Sequence, residues 1–295
     1  MRIGLAKCNV HLKFDDLKAD KNGYLVEPMI IADLLRKQGH EVDIINDVYV
    51  FDEECDKILL LNGPNPEETH DQVMDLRAIT DDLRFIITDT RLHLPGSLMD
   101  NFDHVLTNCP EHYYVEGFDG KTRYNGTPEM FASLFTEKPL GKVYKTIFGG
   151  SERGRKRDFF EYAYRPYSRL YIKSETLNID NRVPYFQYIR ELQQTKYTIV
   201  IADVFYNNVG FITPRYVEAL MSETICFVDG KYDKHEHFIK HDHFLRVNSY
   251  VEMADKIKQI EGDIGLYHSL IGEQKAKIQE DWITGKYTVD RLLGE

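Results

Sequence analysis

The amino-acid sequence predicts an α/β protein of two domains, each with a parallel sheet built from βαβ units. Three observations predict it. Short apolar runs alternate with segments of helical periodicity, the pattern that parallel sheets impose. The alternation runs over the first 107 residues and restarts at Val143, with a stretch over residues 110–141 that has no clear period between the two series. A chain of 295 residues is long enough for one large or two medium domains. The expected domains are 1–141 and 142–295, with the last helix packing back on the first.

Taken in order, Arg2–Cys8 reads as a strand and Asn9–Asn22 as a polar loop. Glu27–Gln38 has helical periodicity, an early proline and Gly39 as its stop. Glu41–Ile45 and Lys57–Leu61 are the next strands, followed by a helix over Glu67–Asp82 and strands at Arg84–Thr88 and His104–Thr107. The second series begins with Val143–Phe148 and a helix over Arg153–Tyr164. Leu170–Ile172 is a strand, and a helix follows Pro184. Then come Tyr197–Ile201, a helix over Thr213–Ser222, strands at Ile225–Val228 and Phe244–Val247, and one long helical tail from Ser249. Ligands of such sheets collect at the carboxyl ends of the strands, so a cleft between two facing domains is the expected site.

Composition narrows the classes. No apolar run approaches the roughly 20 residues that span a bilayer, so no membrane association is expected. The chain enters its first strand without a signal peptide ahead of it. Four cysteines are scattered without C-x-x-C spacing, and three lie in or beside apolar runs, as buried thiols of a reducing cytoplasm do. The formal charge is −11 and is uneven. Residues 1–145 hold 16 Lys and Arg against 26 Asp and Glu, a net of −10; the rest hold 21 against 22, a net of −1. An acidic first half is a poor match to a nucleic-acid surface.

The densest signal is Ile147-Phe-Gly-Gly-Ser-Glu-Arg-Gly-Arg-Lys-Arg157. An apolar strand ends in Gly149-Gly150, where backbone can approach a ligand because no Cβ intrudes. A helix is expected to open at Ser151 as N-cap, with Arg153 and Arg157 on one face over its positive end. Strand, glycine turn, capped helix and two guanidiniums together describe a diphosphate site. A second cluster runs from Asp203 at a strand end, through Tyr206 and a Gly/Asn loop, to a helix starting at Thr213-Pro214. Arg215 suits a phosphate and Glu218 a ribose diol, the other reading being a surface ion pair.

In the first half, Asp89 stands at the end of an apolar strand. It reads as a general base, or as an N-cap or ion pair with Arg91. Glu27 reads first as a helix-start carboxylate satisfying the dipole. His235, His237, His241 and His243 invite a metal reading, but their spacing is not a standard zinc one and no cysteine is near, which favours a polar connection. The sequence lacks G-x-G-x-x-G, Walker A, G-x-S-x-G and H-E-x-x-H motifs.

These residues resemble the bacteriophage DNA β-glucosyltransferases, which move glucose from UDP-glucose onto hydroxymethylcytosine in duplex DNA. The resemblance is carried by Phe148–Arg157, by Ile201–Ser222 with its Phe-Ile-Thr-Pro-Arg-Tyr-Val-Glu core, by Asp233-Lys-His and Val247-Asn248, and in the first half by Arg2–Leu5, Glu27–Ile45 and Thr88–Leu92. Residues 93–142 and 173–195 do not align convincingly. The resemblance implies two Rossmann-like domains facing a central cleft, the glycosyltransferase B fold. It also implies Asp89 as catalytic base and Glu27 near the donor sugar. Ser151, Arg153 and Arg157 fall on diphosphate contacts, beside Gly149 and Gly150. Asp203, Tyr206, Arg215 and Glu218 fall on the donor pocket. The implied chemistry is inverting transfer from a UDP-sugar, with Mg²⁺ or Mn²⁺ at the diphosphate and no sequence motif fixing metal ligands. The implied partner is double-stranded DNA with a hydroxymethylated pyrimidine, met by a monomer in the host cytoplasm; the acidic first half fits a nucleotide, metabolite, glycan or protein acceptor equally well, and a nucleotide-sugar-binding protein without transfer is the non-catalytic alternative.

Overall fold

The computed structural model describes residues 1–8, 12–13, 25–48, 51, 53–61, 70–87, 98, 100–107, 122–124, 140–152, 156–201, 213–231, 236, 239–278 and 290–293. It divides into two compact units, Met1–Leu134 with Gly285–Glu295, and Phe135–Thr284. The division falls ahead of the 141/142 boundary read from the sequence.

In the first unit β1 (Arg2–Lys7), β2 (Glu41–Ile44), β3 (Lys57–Leu61), β4 (Leu83–Ile87), β5 (His104–Thr107) and β6 (Thr122–Tyr124) form one sheet in the order β2-β1-β3-β4-β5-β6. Every pairing in it is parallel. Parallel strands covered on both faces read as continuous apolar runs, and Leu59, Leu60 and Leu61 are wholly buried. Helix α1 (Val26–Lys37) packs on β1 and β2, and Arg36 Nη2 donates to the Val42 carbonyl at 2.8 Å.

Two expectations need correction here. The helix expected over 67–82 is confined to α2 (His70–Arg77) among the described residues. Thr80 turns the chain instead: its Oγ1 donates to the Cys55 carbonyl at 3.2 Å and accepts from the Asp82 N–H. Strand β6 lies in a stretch read as irregular. It is an edge strand of three residues, made by pairing with β5 rather than by any periodicity of its own.

The second unit holds β7 (Tyr144–Ser151), β8 (Arg169–Ser174), β9 (Ile179–Asp180), β10 (Thr195–Val200), β11 (Ile225–Asp229) and β12 (Arg246–Val247). Its helices are α3 (Lys156–Ala163), α4 (Tyr185–Gln193), α5 (Pro214–Met221), α6 (Tyr250–Gly262) and α7 (Ile264–Ile278). The sheet order is β9-β8-β7-β10-β11-β12, parallel except where β9 returns antiparallel on β8. The chain leaves β7 to build β8 on one side and comes back to build β10 on the other. That reversal makes a topological switch point between β7 and β10, where open α/β sheets form their ligand crevice.

Side chains alternate across β7. Phe148 points into a core shared with Phe159 and Tyr162 of α3 and with Met253 and Ile257 of α6. Gly149 faces the other way. The tail expected as one helix is two: Gly262 ends α6, Asp263 is extended (φ −137°, ψ 98°), and its Oδ1 accepts from the Leu266 N–H at 3.1 Å in the first turn of α7.

Candidate donor-binding site

The helix expected to open at Ser151 does not. Ser151 is the last residue of β7, paired with Lys173 of β8, Glu152 after it is not helical, and among the described residues α3 runs Lys156–Ala163. Glu152 explains why. It is buried, its N–H donates to the Lys173 carbonyl at 2.8 Å, and its carboxylate accepts from Ser174 Oγ at 2.5 Å, from Thr176 N–H at 3.0 Å and from Thr176 Oγ1. These bonds hold the chain extended past the glycines, so Ser151 cannot cap a helix. The sequence reading missed Glu152, because a lone Glu in a basic stretch reads as a solvated charge.

The second cluster has the expected helix start. Thr213 is the N-cap of α5 with extended backbone and Pro214 at the first position, although no side-chain capping bond forms. Arg215 and Glu218 follow one helical turn apart, at the carboxyl side of β10 and next to β7. An ideal Cβ on Gly149 would lie 3.0 Å from Arg215 Nη1 and 2.7 Å from Tyr188 Cε2. The glycine therefore lets a guanidinium and an aromatic ring close onto the strand.

This pair is not a surface ion pair. Glu218 is 3% exposed, and Arg215 Nη1 and Glu218 Oε2 are both buried without a hydrogen-bond partner. Buried polar atoms are almost always paired in a native protein, so two left over a turn apart at a strand end call for an explanation, which a water or a ligand there would supply. The other Glu218 oxygen, Oε1, accepts from Tyr185 Oη at 2.8 Å. The Arg215 guanidinium carbon stands 4.9 Å from the centre of the Tyr188 ring. Burial raises the Glu218 carboxyl above its ordinary range, with Arg215 and then Tyr185 opposing the shift. Burial, and then Glu218, keep the Tyr185 hydroxyl protonated far above neutral pH. The geometry thus offers one unpaired donor of a fixed cation and one unpaired acceptor of a carboxyl group, a turn apart beside a glycine strand end. Such a set can hold a phosphate and a hydroxyl of one ligand.

Of the other residues singled out, Asp89, Arg153, Asp203 and Tyr206 lie outside the described residues. Glu27 falls in the first turn of α1 and Arg157 in that of α3, with side chains outside the description. His235 and His237 are likewise outside it. His243 Nδ1 accepts from the Leu245 N–H at 3.0 Å and its Nε2 meets Glu273 at 3.2 Å, so that ring joins a loop to α7. No group of three His, Cys, Asp or Glu side chains among the described residues is placed to hold a metal ion.

No known protein family matches the chain by sequence, and no curated protein does. Solved structures match along its length. A structure of the DNA-modifying enzyme β-glucosyltransferase, determined with and without uridine diphosphoglucose, is 17% identical, with a TM-score of 0.72 over 95% of this chain and 94% of that one. T4 phage β-glucosyltransferase in complex with UDP and Mn²⁺ is 16% identical, with a TM-score of 0.69 over 95% of both chains. Two parallel sheets, a switch point in the second unit and this likeness over nearly the whole chain agree: the protein has the glycosyltransferase B fold, the fold of the phage β-glucosyltransferases.

Proposed function

We propose that the protein is an inverting glycosyltransferase that moves glucose from UDP-glucose to the hydroxyl of a hydroxymethylated pyrimidine in duplex DNA. The observation that carries this reading is the Arg215 and Glu218 pair at the switch point, Glu218 buried and Arg215 half-buried, each with one buried polar atom unpaired. Arg215 meets the diphosphate and Glu218 the ribose. Gly149 seats the Arg215 guanidinium against the strand, Gly150 lets the donor approach the strand end, and Ser151, Arg153 and Arg157 contribute further diphosphate contacts. Asp203 and Tyr206 complete the donor pocket, and Glu27 serves the sugar.

Asp89 takes the proton of the acceptor hydroxyl, which attacks the anomeric carbon in line and inverts it. The arginines stabilise the charge that grows on the departing UDP. Every step here is assigned to the chain's own groups, and a divalent ion bound through the diphosphate would add further charge neutralisation.

A second reading keeps the donor and changes the acceptor. It is favoured by the net −10 of residues 1–145. Arg165 and Arg169, two of the cations in the second half that could meet a DNA backbone, are also already engaged. Arg165 pairs with Glu161 at 3.2 Å, and Arg169 pairs with Glu191 at 3.1 Å while its guanidinium lies 4.0 Å over the Tyr144 ring.

A transfer assay with labelled UDP-glucose and hydroxymethylated DNA, unmodified DNA or no acceptor separates the two. Label on the hydroxymethylated DNA alone is the expected result, and UDP binding without labelled DNA moves the acceptor to another class. Asp89→Asn should then abolish turnover and leave UDP binding intact; wild-type turnover in that variant would sink the mechanism.

A further inference from the structure

Helix α5 does not hold the Arg215 and Glu218 pair alone. Tyr185 and Tyr188 of α4 are three residues apart, as are Arg215 and Glu218, so two helices meet through matched pairs. Tyr185 Oη donates to Glu218 Oε1, and the Tyr188 ring backs the Arg215 guanidinium. Each tyrosine engages one side of its partner, leaving Glu218 Oε2 and Arg215 Nη1 unpaired. Both tyrosines lie in residues 173–195, where the sequence does not align convincingly with the phage enzymes.

We propose that Tyr185 and Tyr188 are positioning residues of the donor site with separate duties, Tyr185 fixing Glu218 for the ribose hydroxyls and Tyr188 fixing Arg215 for the diphosphate. This rests on the donor reading above. A carboxylate held at one oxygen by a tyrosine hydroxyl loses rotational freedom before the ligand arrives, so less ordering is left to pay on binding. A guanidinium stacked on a ring is fixed in plane in the same way. The groups facing Glu218 are Tyr185 and Tyr188 from α4 and Arg215 from its own helix. The Tyr185 hydroxyl favours the ionised carboxylate, so its removal raises the pH at which Glu218 takes up a proton.

The experiment is titration calorimetry of the full chain with UDP and with 2′,3′-dideoxy-UDP, for the wild type, Y185F, Y188L and Y188F. Loss of a hydrogen bond to a charged group makes Y185F bind UDP about tenfold more weakly, while dideoxy-UDP, which has no diol, binds as to the wild type. Y188L weakens both ligands alike, and Y188F, which keeps the ring and loses only the hydroxyl's contact with Arg215, recovers most of that loss. With falling pH, UDP affinity drops at a higher pH in Y185F than in the wild type. Equal loss on both ligands in Y185F, or none, overturns the duty given to Tyr185; a Y188F as weak as Y188L overturns that given to Tyr188. A wild type that binds no UDP overturns the donor reading itself, which the variant comparison does not touch.

Discussion

Gly149 sets how near α4 and α5 come to β7. A methyl there would stand 2.7 Å from Tyr188 and 3.0 Å from Arg215, inside contact distance, so ring and guanidinium must move. Gly149→Ala should therefore weaken UDP binding at least as much as Y188L, at a stability cost of about 1–3 kcal/mol from overpacking; calorimetry and urea unfolding read the two effects apart. In the first unit, Asp82 sits between Arg84 (2.7 Å) and Lys57 (2.8 Å). Burial opposes its charge, but Arg84 and Lys57 outweigh it and bring the pKa from 3.8 down to about 2. The folded pKa is below the unfolded one, so the stabilisation is complete above pH 3.8 and is lost as pH falls toward 2. Asp82→Asn should lower stability at neutral pH and flatten the profile between pH 3.8 and 2, as unfolding at stepped pH would show. Arg215 and Glu218 were legible in the sequence because a helix start and a one-turn spacing are local features. Tyr185 and Tyr188 were not, since aromatic residues at helical spacing after a proline read as core.

Among the elements, α4 and α5 are clipped together at their far ends. Lys142 Nζ donates to the Gln193 carbonyl at 2.9 Å and to the Ser222 carbonyl at 2.8 Å, at the carboxyl ends of the two helices. The helix ends supply unpaired carbonyls for the ammonium, while burial opposes its charge and lowers its pKa to about 8. Lys142→Met should leave both without this partner and destabilise the second unit by about 1–3 kcal/mol. Urea unfolding followed by Tyr fluorescence would measure it, and an unchanged midpoint would show that water replaces the ammonium at no cost. Strand and helix positions followed closely from apolar runs. Element ends that depend on a remote partner did not: β7 runs on to Ser151 because Glu152 is tied to Ser174 and Thr176, and α2 stops because Thr80 bonds back to Cys55.

At the scale of the molecule, the end of the chain belongs with the first unit. Leu292 and Leu293 of α8 (Asp290–Leu293) are 4% and 2% exposed, and the Leu292 carbonyl accepts from Arg84 Nη1 at 3.0 Å. A chain ending at Thr284 loses that burial, worth about 1.5–3 kcal/mol for each leucine, and leaves the buried Arg84 short of an acceptor. Its first unit should melt at lower temperature with the second unchanged, and calorimetry would resolve the two transitions; a single unshifted profile would make α8 dispensable. Cys8, Cys55 and Cys226 are buried free thiols, and burial lifts Cys55 to about 11. These three should react with a thiol reagent only on unfolding.

The sequence by itself determined the two βα series, the glycine pair at the end of one strand and the Arg and Glu at the start of one helix. All of these are set by periodicity and by chemistry within a few residues. Only the tertiary structure decided that β7 lies beside β10, that β6 and β9 close the sheet edges, and that two tyrosines of α4 back the Arg and Glu of α5. Strand neighbours and contacts between helices join residues far apart in the chain. The free energy that selects them comes from burial and hydrogen bonding between partners, and no local pattern names a partner.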